Sequence, residues 1–312
     1  MLQQAVNLRK GEIEKTLKYL SVENPSPVSK QGPHWYATAV AYSPDRQVVD
    51  QLCRLRRSEQ EEMRAYMQTG ECLMRFLARA LDDPHAADCG RCANCVGAPL
   101  WPETVAPELA NAAALFLRRS HQAIVPRKMW PAGALPVYGF RGRVASRQMA
   151  REGRALCLWG DAGWGRMVHD GKYRDGRFDD ALVDGCLEMI GAWRPQPTPA
   201  WVTAVPSLTS PERVPDFARR LAAKLAIPFV SLLRKVRTNR PQKEMENSFQ
   251  QAGNLDGVFA LRSGPLPPGP VLLVDDMVDS GWTFTVLAAL LGDAGCPAVH
   301  PLALAVSSRG NG

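Results

Sequence analysis

Apolar positions recur along this chain with helical spacing, in short extended runs, and in one unbroken block. In LRKGEIEKTLKYLSVEN, Ile13, Leu17 and Leu20 share a helical stripe, with Arg9, Lys10, Lys15 and Lys18 largely off it. The next stretches, SPVSKQG and PHWYATAV, form two short extended runs about a Lys-Gln-Gly turn, and residues 1–8 read as the end of a preceding helix. Met63, Met67, Leu73, Phe76 and Leu77 again repeat at helical spacing, and PELANAAALFLRR predicts a further helix. HQAIVPRKMWPAGALPVYGFRGRV alternates apolar residues with Pro and Gly, which predicts short strands and turns. AWVT is another extended run. Val271 to Val274 is wholly apolar, as a buried parallel strand requires, and a helix is predicted from Thr283 to Leu291. No run of eighteen apolar residues occurs, so no membrane-spanning helix is expected.

At 312 residues, 46% of them hydrophobic, the chain is long enough for two or more domains with real cores. Its formal net charge of +7 is unevenly spread. Arg118 to Arg154 holds nine basic residues (Arg118, Arg119, Arg127, Lys128, Arg141, Arg143, Arg147, Arg151, Arg154) against Glu152 alone. Arg213 to Lys243 holds nine more against Asp216, whereas Asp161 to Glu188 is net acidic. Segregation of this kind favours a polyanion partner, DNA first; ordinary solvated arginines are the plainer reading.

Four of the eight cysteines crowd into twenty-four residues as Cys72-x16-Cys89-x2-Cys92-x2-Cys95. Four thiolates satisfy a closed structural zinc site, with Gly90 easing the turn of the CGRCANC knuckle. A redox CxxC pair is the competing reading, but the overlapping CxxCxxC leaves its middle cysteine without a partner. Cys53, Cys157, Cys186 and Cys296 stand alone in apolar context and are expected to be buried thiols.

The helical segment with one cysteine, followed by CGxCxxC, resembles the zinc-binding subdomain of RecQ-family DNA helicases over roughly residues 46–98. That resemblance implies a structural Zn2+ beside a helicase motor. No G-x-x-x-x-G-K-[ST] phosphate loop is present, so the expectation is the C-terminal part of a longer helicase, its ATPase motor absent from this chain. The helix and two extended runs before it resemble the last helix and wing of a winged-helix domain. This resemblance assigns Lys10, Lys15, Lys18 and Lys30 to DNA phosphates, with His34 or Trp35 near the wing. Arg118, Arg119, Arg127, Lys128, Arg141 and Arg143 are the further candidate phosphate contacts.

A second motif lies in GPVLLVDDMVDSGWTFTVLAALLGDAG. A strand, an acidic pair, a small-residue loop and a helix bring backbone N–H groups to an anion at the carboxyl edge of a sheet. The stretch resembles the phosphoribosyl-diphosphate signature of type I phosphoribosyltransferases. The resemblance implies that Asp275 and Asp276 engage ribose hydroxyls, that Asp279, Ser280, Gly281, Trp282 and Thr283 wrap the 5′-phosphate, and that Asp279 stands where some members carry a general base. AVPS (204–207) occupies the place of their diphosphate loop. WGRMVHDGKYRDGRFDD, with Lys172 and Tyr173, and RTNRPQKEMENSFQQAGNLDGVFAL, with Gln242, Asn254 and Phe259, resemble ComF-like members, the latter their mobile basic loop. The likeness runs over about residues 155–306. Trp282 departs from it by replacing a small residue, either narrowing the pocket or offering a stacking face.

The expected fold is therefore α/β and multi-domain. A partial winged helix (1–44) precedes a helical-hairpin zinc module (45–100), a basic linker (101–150) and a phosphoribosyltransferase-like parallel sheet flanked by helices (151–312). The expected function is the DNA-binding C-terminal region of a RecQ-like helicase, cytoplasmic and nucleoid-associated. Its phosphate pocket would hold a phosphorylated or single-stranded DNA end with Trp282 on the base. The alternatives are an active phosphoribosyltransferase using phosphoribosyl diphosphate and Mg2+, and a protein-binding scaffold.

Overall fold

A computed structural model describes residues 2–307 and divides the chain into two compact units. One gathers the N-terminal residues up to Thr16 with those from Asn111 on; the other is Leu17–Ala110.

The chain opens with α1 (Leu2–Ala5) and α2 (Lys10–Ser21), then β1 (Val28–Gln31) and β2 (His34–Ala37). The two strands pair antiparallel from Val28↔Ala37 to Gln31↔His34, and Gly32, at φ 57°, supplies the left-handed turn residue. The expected helix and hairpin are thus both present. The first residues nevertheless belong to the other unit, because the Asn247 side chain donates to the carbonyls of Gln3, Val6 and Leu8 at 3.1–3.3 Å. Asn7 completes this tether, donating to the Glu244 carbonyl at 2.7 Å and accepting from the Glu246 amide at 2.8 Å.

The helical repeat expected around Met63 to Leu77 is broken in two. α3 (Arg46–Gln68) starts at Asp45, whose carboxylate accepts the Gln47 and Val48 amides, and stops before Thr69-Gly70-Glu71. α4 (Leu73–Ala80) begins afresh with Cys72 as its N-cap, and a single turn, α5 (Ala93–Val96), is capped by Cys92. α3 buries no residue at all.

The larger unit continues with α6 (Pro107–Arg118), β3 (Gln122–Ile124), β4 (Gly153–Leu158), α7 (Gly165–Tyr173), α8 (Asp180–Trp193), β5 (Trp201–Ala204) and α9 (Arg213–Leu225). After these come β6 (Leu233–Lys235), α10 (Ser248–Gly253), β7 (Phe259–Leu261), β8 (Val271–Val278), α11 (Trp282–Asp293) and β9 (Val299–Val306). Five strands make one sheet in the order β3-β4-β9-β8-β5, parallel except for β3 at the edge, while β6 and β7 pair separately. Both faces of the sheet are covered, which is why β8 needs an unbroken apolar run: Val271 and Leu273 enter one core cluster, Leu272 and Val274 the other. The strand extends past Val274 through both aspartates, because β9 keeps pairing with it to Val278↔Val306. α11 is buried along most of its length, and Gly292 lets it approach the backbone at Arg147, where a Cβ would lie 1.9 Å from the carbonyl oxygen.

Within the segment expected as a basic linker (101–150), the residues from Gln122 on are built into the larger unit. β3 joins the sheet, and Ile124, Trp130, Leu135, Phe140 and Val144 enter the core cluster against α11. Trp130 stacks on Phe140 with ring centroids 4.7 Å apart. The segment coils through isolated bridges, Met129↔Arg143 and Leu135↔Phe140, so its buried residues follow neither helical nor strand periodicity.

Candidate functional site

In the larger unit, the C-terminal ends of the adjacent parallel strands β5 and β8 open into one cleft of about 630 Å³. The acidic pair sits where β8 reaches this edge. The Asp276 amide donates to the Asp275 carboxylate at 2.8 Å, and Lys172, from α7, meets the Asp276 carboxylate at 2.9 Å. Burial and the neighbouring charge of Asp276 push the Asp275 carboxyl well above the ordinary carboxylate range, against the pull of the Asp276 amide and Lys172. Lys172 forms its ion pair with Asp276, and Asp275 has no ion-pair partner among the described residues.

Beyond the acids the chain passes through Asp279 and Ser280 to Gly281, at φ 77°, which caps α11 without any side-chain hydrogen bond to the helix. The first amides of α11 therefore reach the cleft without a side-chain cap, and a helix N-terminus in that condition attracts anions. Thr283 and Ser280 line the cleft alongside them. Asp279 accepts a hydrogen bond from the Ser307 hydroxyl. Across the cleft, Ser207 and Ser210 follow β5; Ser210 accepts from the Arg213 guanidinium at 2.8 Å, and Arg213 Nε is buried with no partner. A buried guanidinium nitrogen without an acceptor favours an anion at this wall.

The expected mobile loop contributes Gln242 and Lys243 to the cleft and is held at its base. Asn254 donates to the Arg240 carbonyl at 2.8 Å and Gln242 to the Gln251 carbonyl at 3.0 Å. Tyr173 also lines the cleft.

Trp282 corrects an expectation. Its side chain is 2% exposed and packs 6.0 Å from the Trp130 ring, so it neither narrows the cleft nor offers a face for stacking. Its backbone opens α11 directly after Gly281. Cys53 is a second correction, being exposed on α3, whereas Cys157, Cys186 and Cys296 are buried as expected.

The structure does not gather the basic candidates into one site. Arg127 turns inward, donating from Nε to the Ser280 carbonyl at 2.9 Å and lying 5.5 Å from the Trp282 ring centroid. Arg118 covers the Trp164 ring at 4.7 Å. Lys10 pairs with Glu14 at 3.7 Å, and Lys30 lies 5.6 Å from the Trp35 ring. Arg119, Lys128, Arg141 and Arg143 are exposed, as are Lys15 and Lys18. Sequence reasoning missed Arg213 and Lys243 as cleft residues. Their signal was the second basic block, read as a polyanion surface rather than as part of a pocket.

In the smaller unit, Cys72, Cys89, Cys92 and Cys95 bring their sulfurs within 4.8 Å of one another. Cys72 and Cys92 sulfurs lie 3.9 Å apart, close to the ~3.8 Å that tetrahedral geometry with Zn–S of about 2.3 Å requires. Backbone amides aim at the thiols: Cys89 to Cys72 at 3.2 Å, Cys92 to Cys89 at 3.3 Å, Cys95 to Cys92 at 3.4 Å. The amide of Cys95 leads in holding the Cys92 thiol down to about 6, and sharing with Cys92 and Cys72 pushes the Cys95 thiol up to about 12. Asn94 clamps the cluster by donating to the carbonyls of Thr69 and Glu71 at 2.8 and 2.7 Å. Such a cluster can hold a zinc-like ion.

No family model and no curated protein sequence matches the chain. Among solved structures there are distant fold matches to phosphoribosyltransferases. The purine phosphoribosyltransferase of Pyrococcus horikoshii is 17% identical, over 43% of this chain and 75% of its own, with a TM-score of 0.29. Adenine phosphoribosyltransferase of Leishmania tarentolae is 17% identical, over 41% and 70%, at 0.28. That of Leishmania donovani is 16% identical, over 63% and 80%, at 0.29. Nothing in these comparisons supports a helicase, RecQ or DNA-repair reading. Among the described residues, no helix is long and apolar enough to cross a membrane.

Proposed function

We propose that the larger unit binds a 5-phosphoribosyl diphosphate and acts as a phosphoribosyltransferase. The observation that carries this reading is the cleft at the end of β8, where an acidic pair with one lysine faces a helix N-terminus that no side chain caps. Asp275 and Asp276 take the ribose hydroxyls. The amides at Gly281 to Thr283, with the hydroxyls of Ser280 and Thr283, take the 5′-phosphate. Ser207 and Arg213 take the diphosphate, the anion whose departure the reaction requires. Asp279 lies between these groups in the chain and is the candidate to receive the acceptor's proton.

Magnesium fits the donor set, since two neighbouring carboxylates with a single lysine leave negative charge unbalanced; Asp275 and Asp276 would hold it, and it would supply charge neutralisation of the diphosphate. For the smaller unit we propose a structural zinc on Cys72, Cys89, Cys92 and Cys95. No observation favours DNA over the ribose phosphate: the burial of Trp282 removes the side chain expected to stack on the base of a DNA end.

Calorimetric titration of phosphoribosyl diphosphate, with and without Mg2+, tests the reading. Binding should be present in the full chain and fall at least ~10-fold, about 1.4 kcal/mol, in Thr283→Ala and in the Asp275→Asn, Asp276→Asn double variant. No binding by the parent protein, or equal binding by all three, overturns it. Diphosphate release in the presence of an acceptor then tests turnover.

A further inference from the structure

Beside the phosphate loop lies a second cavity of about 400 Å³, which shares Lys243, Asp279 and Ser280 with the first cleft. Separated stretches of the larger unit build it: Gln3, Arg9 and Lys10 from the N-terminal residues, Arg127 after β3, and Lys243 onward toward α10. Four cations thus face two acids, Glu246 and Asp279. The acids are already engaged, Glu246 by Arg9 at 3.1 Å and Asp279 by the Ser307 hydroxyl. Lys10 has Glu14 at 3.7 Å. That leaves Arg127 and Lys243 without a carboxylate partner among the described residues.

Arg127 is the more informative of the two. Its Nε–H is spent on the Ser280 carbonyl at 2.9 Å, and the terminal guanidinium hydrogens find no acceptor among the described residues. A half-buried guanidinium with unspent donors, on the wall of a cavity that also holds the candidate proton acceptor, is a place built for an anion.

We propose that this second cavity is the acceptor subsite and that it takes an anionic group, a carboxylate or a phosphate, carried by the molecule that attacks the ribose. The proposal rests on the phosphoribosyltransferase reading. In the step it serves, the C1–O bond to diphosphate breaks and the diphosphate leaves with the electron pair. A lone pair on the acceptor forms the new bond to C1, and the proton the acceptor sheds passes to the Asp279 carboxylate. Arg127 and Lys243 hold the anionic group away from that reacting edge. Arg127 also touches the loop that holds the phosphate, so acceptor and donor are recognised by adjoining parts of one backbone turn.

The test uses the full chain and probes matched for size: nicotinate against nicotinamide, with phenyl phosphate as the phosphate arm, titrated by saturation-transfer NMR. Ribose 5-phosphate is titrated separately. Nicotinate should bind about 10-fold more tightly than nicotinamide, and whichever anion binds better identifies the group. Gln3 lines the cavity without belonging to the cationic set. Gln3→Glu should weaken anion binding about 10-fold and Gln3→Lys strengthen it, both leaving ribose 5-phosphate binding unchanged. Equal affinity for nicotinate and nicotinamide, with ribose 5-phosphate still bound, overturns the subsite and leaves the first cleft standing. Displacement of nicotinate by ribose 5-phosphate places the anion in the first cleft and likewise overturns it. Charge-selective binding in a protein that does not bind ribose 5-phosphate removes the acceptor role, because the donor site itself has then failed.

Discussion

The two units are held together by different means. In the larger one, two apolar clusters sandwich a sheet whose central strands are buried on both faces. In Leu17–Ala110 only Pro27, Cys72 and Cys92 are buried, so two of the three interior residues are metal-ligand candidates. Leu52, Leu55 and Met63 on α3 are each more than half exposed. A helix of twenty-three residues without a fully buried side chain has little beyond its cap, its local pairs and the packing of Tyr66 on Phe76 of α4, ring centroids 5.7 Å apart, to keep it ordered. One region therefore derives its order from burial, the other, on the proposed zinc, largely from four sulfurs, and they should fail under different insults.

The largest effect should come from the sulfurs. Chelation, or Cys92→Ser, would remove the proposed zinc, whose binding free energy in such sites is on the order of 10 kcal/mol or more. Limited proteolysis should then cut within residues 46–98 while the larger unit stays resistant; cleavage of both units together would break the distinction. Next in size is Leu287→Ala in α11, where a fully buried side chain is lost. It should cost about 2–5 kcal/mol in denaturant unfolding, whereas Leu55→Ala on exposed α3 should stay within about 0.5 kcal/mol. A comparable loss at Leu55 would mean that the smaller unit has an apolar interior after all.

Sequence legibility follows the same division. The β8 run was legible because a strand covered on both faces must be apolar throughout, and the cysteine cluster because ligand spacing is local. The core residues between Ile124 and Val144 were not legible. They lie in a coil with Pro and Gly turns, where burial follows no period, and the same residues carry enough arginine to suggest a surface. Arg127 shows the limit most clearly: its partner is a carbonyl 153 residues away, and nothing in the local sequence marks it. Trp282 was read as facing the cleft, and the structure turns its ring into the core. A residue at the start of a helix can turn to the cleft or to the core, and the core aromatic that claims it, Trp130, comes from the segment whose fold was not read. The split between α3 and α4 was hidden because the apolar spacing continues through Thr69-Gly70-Glu71 as though the helix did.

A smaller effect would sharpen the picture of the sulfur-ordered unit. Asn94 donates to two carbonyls that α3 and α4 leave exposed at their junction. Asn94→Ala should lower the stability of the metal-loaded unit by about 1 kcal/mol for each bond lost, read as earlier protease cleavage or a lower thermal midpoint. If the metal alone determines order, the variant should lose metal no faster than the parent. Faster loss would show that the polypeptide clamp and the ion support each other.

The smallest effect should appear in the larger unit, at an acid whose burial works against stability. Asp275 is pushed well above the ordinary carboxylate range, chiefly by burial and then by Asp276. An acid whose folded pKa exceeds its unfolded value binds more protons in the folded state, so its ionisation destabilises the fold. That cost is absent below the unfolded pKa, grows as pH rises from there to the folded one, and is constant above it. The apo protein should therefore gain stability as pH falls from neutrality toward the ordinary carboxylate range, and Asp275→Asn should raise the neutral-pH melting midpoint of this unit while flattening that pH dependence. The same substitution should weaken binding of phosphoribosyl diphosphate. A variant that loses stability along with binding would make Asp275 part of the structural core, whereas one that gains stability and loses binding marks it as a residue kept for its ligand.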